Sequence, residues 1–199
     1  MADHYFSVEP SVPSAPTKVE LRLPGLALDL LADRGVFSGS RIDPGTLALL
    51  RESPPPPAEG DLLDLGCGYG PIACALARQS PAATVWAVDV NSRALSLAQA
   101  NAARLGLANL RAVSPGAVPP DVSFAGIWSN PPVRVGKAAL HEMLSTWLAR
   151  LGPGSAAVAW LVVNRNLGGD SLAAWLRSGG WSVRRAASKS GYRVLEVSR

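Results

Sequence analysis

The chain has 199 residues and a mass of 20.7 kDa, room for one domain of roughly 150 residues or a little more, with a core burying about 70% of the unfolded surface. No apolar run approaches the ~20 residues of a membrane span. The opening Met1-Ala2-Asp3-His4-Tyr5-Phe6 lacks the basic and apolar regions of a secretory signal, so a cytoplasmic protein is expected. Cys67 and Cys74 form neither a disulfide framework nor a metal-ligand pattern, so reduced thiols and no metal are expected, and a net charge of +4 decides little alone.

In chain order, Val19 to Leu23 and Leu26 to Leu30 flank Pro24-Gly25, which predicts a type II turn and a hairpin. Thr46 to Arg51 reads as helix, and Ser53-Pro54-Pro55-Pro56-Pro57 as a stiff connector. After residue 60 strands alternate with helices, the pattern of βαβ units and a parallel sheet. The strand from Asp61 to Asp64 precedes a helix from Pro71 to about Gln79, and Thr84 to Asp89 is a strand ending in a carboxylate. A helix from Ser92 to Leu105 buries Leu95, Ala98, Ala102 and Leu105 and stops at Gly106, with Asn91 as its cap. Short strands follow at Asn109 to Val113 and Phe124 to Ser129. Ala138 to Leu151 is the clearest helix, ended by Gly152-Pro153-Gly154. The unbroken apolar run from Ala156 to Val163 suits a strand covered on both faces. A helix from Ser171 to Arg177 and strands from Trp181 to Arg185 and Tyr192 to Val197 complete the chain. The tryptophans read as core, with the role of Trp128 open, and His4 and His141 read as surface or packing residues.

Two motifs carry chemistry. Asp64-Leu65-Gly66-Cys67-Gly68-Tyr69-Gly70 places glycines at the end of a strand, where positive φ and close backbone approach to a ligand are needed. A dinucleotide fingerprint would have a third glycine at position 71 for close helix packing; Pro71 stands there instead, suited to a first helical turn. The pattern therefore leans from NAD towards S-adenosylmethionine. Asp89, nineteen positions after Gly70, is placed to accept bonds from ribose hydroxyls.

The second motif, Asn130-Pro131-Pro132-Val133, follows the strand ending at Ser129. Ligands in doubly wound sheets bind outside the carboxyl ends of the strands, so both motifs should share one crevice. A conjugated amine is a poor nucleophile. The Asn130 side-chain oxygen and the Pro131 carbonyl can draw its N–H bonds out of conjugation, and two prolines stiffen that backbone. No strong general base is required, because the methylated nitrogen is transiently cationic and loses its proton to water.

These motifs resemble those of class I S-adenosylmethionine-dependent methyltransferases of the small-domain family related to 16S ribosomal RNA guanine-N2 methyltransferases. Asn130 to Lys137 is similar to that family's Asn-Pro-Pro-Ile/Phe signature, and Gly35-Val36-Phe37-Ser38, Asp43-Pro44-Gly45-Thr46 and Gly191 to Leu195 look like it too. The resemblance spans nearly the whole chain. It implies that Asp64, Gly66 and Gly68 line the methionine end of the cofactor, with Gly70 in the same turn, and that Asp89 meets its ribose. It also implies that Asn130 holds the acceptor amine while Phe37 and Thr46 close over the crevice. Val133, Arg134 and Lys137 beside the clamp would meet the substrate, the two cations through phosphate. Three departures stand out. Val113 leads to Ser114-Pro115-Gly116 where the family often has a polar or acidic group to meet the adenine, only the catalytic half of the larger ribosomal enzymes is matched, and Val133 replaces an aromatic common in adenine-N6 and glutamine methyltransferases.

Charge is unevenly spread: residues 122–199 hold ten Lys/Arg against Glu142, Asp170 and Glu196, while residues 1–121 are net acidic. Such asymmetry suits a phosphate backbone, though sixteen of nineteen cations are arginine, as a compositional bias would also give. The expected fold is a doubly wound, mostly parallel seven-stranded α/β sheet of the Rossmann-like methyltransferase kind. Residues 1–58 would form a hairpin/helix extension and lid, residues 59–199 the catalytic core, all in one domain. The expected activity is S-adenosylmethionine-dependent N-methylation of a guanine N2 in ribosomal RNA, with ribosomal RNA or a ribosomal subunit as partner. Methylation of a small amine, adenine N6 or protein glutamine, or a non-catalytic RNA-binding assembly role, are the alternatives.

Overall fold

The computed structural model describes residues 12–153 and 156–199; His4, Gly154 and the side chain of Arg134 lie outside the described residues. The first elements among the described residues form an antiparallel hairpin, β1 (Thr17–Leu23) and β2 (Leu26–Ala32). Its turn is the expected one: proline presets φ at Pro24 and Gly25 sits at φ 73°. Helix α1 (Pro44–Glu52) follows, capped by Asp43, whose side chain accepts from the backbone N–H groups of Gly45 and Thr46.

A seven-stranded sheet makes up the rest. In chain order its elements are β3 (Asp61–Leu65), α2 (Pro71–Gln79), β4 (Thr84–Val88), α3 (Ser92–Arg104), β5 (Leu110–Val113), β6 (Phe124–Ser129), α4 (Lys137–Leu148), β7 (Val158–Asn164), α5 (Gly169–Ser178), β8 (Ser182–Lys189) and β9 (Tyr192–Ser198). Spatial order is β5-β4-β3-β6-β7-β9-β8. The five strands β3 to β7 are parallel, and β9 inserts antiparallel between β7 and β8. Strand order reverses between β3 and β6, which opens a crevice at their carboxyl ends.

Alternation along the strands builds two cores. Leu62, Val85, Ala87 and Trp128 pack towards α1, α2, α3 and the hairpin, whereas Leu63, Leu65, Val88 and Ile127 pack towards α4 and α5. Trp128 is thereby a core residue: its Nε1 donates to Ser53 Oγ at 3.3 Å, and its ring lies where a Cβ on Gly126 would stand, 2.5 Å away. The β5–β6 crossover carries only a 3-10 turn, Pro115–Ala117. Trp86 on that side is covered in part by the Arg111 guanidinium, 5.3 Å from its ring centre.

Two boundaries differ from the sequence reading by more than two residues. Helix α4 stops at Leu148 although apolar spacing runs to Leu151, because Phe124 N–H donates to Arg150 O and Leu151 bridges to Phe124 at the start of β6. Strand β8 continues past Arg185 to Lys189 through a bulge between Arg185 and Ala187, which shifts the alternation that marks a strand.

Asn101, fully buried on α3, ties the hairpin to the core as a neighbouring strand would. Its Oδ1 accepts from Leu31 N–H at 2.7 Å, and its Nδ2 donates to Leu31 O at 2.8 Å and Tyr69 O at 2.9 Å. Replacing Asn101 by Ala orphans these backbone groups and should cost about 2–3 kcal/mol. A urea midpoint unchanged from wild type would show that the hairpin does not depend on this clasp.

Candidate active site

The glycine turn begins where β3 ends. Gly66 N–H and Cys67 N–H both donate to Val88 O, at 2.8 and 3.0 Å, so the turn is strapped across the end of β4. Gly66, Gly68 and Gly70 have φ of 75°, 54° and 86°, which L side chains rarely adopt. A Cβ built on Gly66 would come within 3.9 Å of Pro132 Cδ, so the glycine turn and the Asn-Pro-Pro corner do meet. Gly70 faces elsewhere. It caps α2, and a Cβ there would stand 3.1 Å from the Ala98 Cβ. Its freedom lets α2 settle against α3, and it has no surface in the crevice.

Asp64, expected to line the cofactor's methionine end, also lies behind the crevice wall. It has no exposed surface; Oδ2 accepts from Ala73 N–H at 2.9 Å in the first turn of α2, and Oδ1 has no partner among the described residues. Burial pushes its pKa up to about 8, the Ala73 N–H opposing and the Asp89 charge adding to the rise. Asp89 at the end of β4 does reach the crevice. Gly68 N–H donates to its Oδ2 and Asn91 N–H to its Oδ1, each at 2.9 Å, so the carboxylate is aimed by backbone. Burial raises its pKa while those N–H groups pull it back. Asn91 caps α3 as expected, accepting from Ala94 N–H at 3.0 Å.

At the clamp, Asn130 Nδ2 donates to Asp43 Oδ1 at 2.8 Å and to Thr46 Oγ1 at 3.2 Å. A carboxylate only accepts, so it selects the nitrogen end of the amide. With that nitrogen committed twice, the amide oxygen is the group left for a ligand. Asp43 Oδ1 itself is held by Gly45 N–H at 2.8 Å and Thr46 N–H at 3.1 Å, while Tyr192 Oη donates to Oδ2 at 3.5 Å. Thr46 thus stands behind Asn130, outside the main cavity. Pro131 O accepts from Val133 N–H at 2.8 Å around Pro132, whose φ of −74° and ψ of 75° are those of an inverse γ-turn. The Pro131 carbonyl keeps a second lone pair for a ligand.

These groups enclose a cavity of about 370 Å³. Its lining includes Gly66, Gly68, Asp89, Val90 and Pro115 from the segments after β3, β4 and β5, and Asn130, Pro131, Pro132 and Val133 from the segment after β6, with Tyr192 and Phe37. Lys137 is exposed at the first turn of α4 and does not line it. Sequence reasoning missed Asp43, Tyr192 and Asn164 as cavity residues. The helix-start pattern Asp43-Pro44 marks Asp43 as a cap, but nothing local marks its contact with Asn130 across 87 positions.

Residues 27–196 match the methyltransferase small domain, and the chain belongs to that family. A Bacillus subtilis (strain 168) protein named uncharacterized protein YbxB is 32% identical over 202 residues, covering 100% of both chains. Ribosomal RNA small subunit methyltransferase C of Shewanella amazonensis is 32% identical over 72% of the chain, and that of Aeromonas hydrophila 38% identical over 62%. The chain spans 41% and 35% of those two proteins. The structure of a T. thermophilus 16S rRNA N2 methyltransferase (RsmC) with AdoMet and guanosine superposes with a TM-score of 0.80 at 27% identity, over 96% of this chain and 52% of that one.

The Asp64 shift has a definite sign. A carboxyl with folded pKa about 8, against an unfolded value of about 3.9, holds its proton more tightly when folded. Its contribution is therefore fully present below the unfolded value and is lost as pH climbs to about 8. Asp64→Asn should flatten the fall in stability across that window; identical pH profiles for variant and wild type in urea unfolding would refute the assignment.

Proposed function

We propose that this member of the methyltransferase small domain family is an S-adenosylmethionine-dependent N-methyltransferase of RNA, acting in the cytoplasm as a single domain on the exocyclic N2 of a guanine in 16S ribosomal RNA. The observation that carries the reading is the Asn130 amide. Its nitrogen is tied to Asp43 and Thr46, which leaves its oxygen for an N–H donor beside the Pro131 carbonyl.

The residues fit the donor. A cavity of about 370 Å³ lies within the range of small-ligand sites, roughly 300–1,000 Å³. The Asp89 carboxylate supplies acceptors for ribose hydroxyls, and Val90 and Pro115 provide apolar surface for a flat base. Gly66 and Gly68 leave the backbone bare at the methionine end. S-adenosylmethionine, when bound, supplies a methyl group on a sulfonium and takes the bonding electron pair onto sulfur.

The chain prepares the acceptor. Asn130 Oδ1 and Pro131 O accept the two N–H bonds of the amine, holding its lone pair out of the ring and towards the glycine turn. Phe37 and Val133 offer apolar contact to the base. Water takes the proton released when the N–C bond forms. The preorganised clamp contributes orientation, which reaches ~7–11 kcal/mol in well-aligned systems. Support for guanine in ribosomal RNA comes from the relatives named for small subunit methyltransferase C and from the guanosine bound to the structural neighbour.

Incubation with labelled S-adenosylmethionine and ribosomal subunits, followed by nucleoside mass spectrometry, should yield N2-methylguanosine; label on another base or on protein would replace this reading. Asn130→Ala should lower turnover about 100-fold while keeping donor affinity, and unchanged turnover would remove the residue from the mechanism. Asp89→Ala should weaken donor binding about 10- to 100-fold, as for hydrogen bonds to a charged group. Isothermal calorimetry giving wild-type affinity would overturn the ribose assignment.

A further inference from the structure

The exposed cations of the described surface divide into two groups. Several are neutralised by acids: Arg22 by Glu20 and Asp29, Arg184 by Glu196, Arg185 by Asp170, and Lys189 by Glu52. Others have no ion-pair partner among the described residues, and two of these, Arg41 and Arg165, lie within two residues of Asp43 and Asn164, which line the cavity.

Both are exposed, and each belongs to a segment that bonds to Tyr192 or to its neighbour Gly191. Arg165 directly follows Asn164, a cavity residue paired with Tyr192 in the sheet, and its N–H donates to Gly191 O at 2.8 Å. Arg41 lies two residues before Asp43, the carboxylate that Tyr192 Oη reaches. Its backbone is pinned: Arg41 O accepts from Ser38 Oγ at 2.6 Å and from Tyr69 Oη at 3.4 Å. The positive charge of Arg41 is felt at the Tyr192 hydroxyl, where it opposes the upward push of burial. The two arginines therefore come from different segments, one before α1 and the other after β7, and both segments are joined to the Gly191-Tyr192 start of β9.

We propose that Arg41 and Arg165 form a phosphate clamp at the mouth of the cavity, gripping the RNA backbone on either side of the nucleotide whose base enters. The proposal rests on the RNA reading of the site and adds to it the surface that holds the strand. A base placed beside Asn130 leaves its own sugar and phosphates at the cavity mouth. Guanidinium groups suit that position because their planar donor fork matches phosphate oxygens. Such contacts fix register without reading sequence.

The test is a salt titration of binding to a 16S ribosomal RNA transcript, read by fluorescence anisotropy and independent of methylation. Each phosphate contact to single-stranded RNA contributes about 0.7 to the slope of log affinity against log salt. R41Q/R165Q should therefore reduce the slope by about 1.4. The control R51Q/R104Q removes two exposed cations from the last turns of α1 and α3, which run away from the cavity, and should leave the slope near wild type. Equal slope losses in both pairs would mean that net charge alone acts, and an unchanged slope in R41Q/R165Q would mean that the two arginines touch no phosphate; either overturns the clamp, as does a wild-type protein that fails to bind the transcript. Slope loss confined to R41Q/R165Q supports it, even if no methyl transfer occurs, in which case the enzymatic reading alone falls.

Discussion

An amide side chain is chemically two-faced, and the site depends on which face it shows. At Asn130 the choice is made by Asp43, a carboxylate with no proton to give, which accepts the amide nitrogen at 2.8 Å. The same oxygen closes the first turn of α1, so the helix start and the orientation of the clamp are one structure. Anything that moves α1 moves Asn130, which explains how a segment outside the sheet becomes part of the crevice.

The part of the cavity lined by the glycine turn relies on a different device. There the backbone does the aiming: the glycine turn is strapped to Val88 O, and Gly68 N–H returns to orient Asp89. Asp64 supports this from behind by holding the first turn of α2 through Ala73 N–H. Burial of both carboxylates raises their pKa values, and each one's remaining charge is offset by backbone donors instead of by cations.

Much of this was legible in the chain. The strand–glycine–helix succession, the acid after β4 and the Asn-Pro-Pro corner each depend on residues close in sequence, and their conformations follow from local sterics: positive φ at the glycines, a stiff turn at the prolines and alternation in the strands. The element order also dictated a doubly wound sheet, because βαβ connections have one favoured hand. Where local pattern and tertiary pairing competed, pairing won. Leu151 carries a helical period but bonds to the start of β6, and β8 passes through a bulge that its alternation conceals.

The sequence by itself thus determined which residues could make chemistry and at which strand ends they would stand, since those properties reside in a few neighbouring dihedrals and side chains. Only the tertiary structure decided what each one faces. It turned Asp64 and Gly70 to the supporting layer, drew Asp43 and Tyr192 into the cavity, and fixed the polarity of the Asn130 amide. These outcomes rest on contacts spanning 87 and 149 positions in the cases of Asn130 and Tyr192 with Asp43. Such pairings form because the packed sheet brings distant loops to one edge, and no local pattern along the chain encodes them.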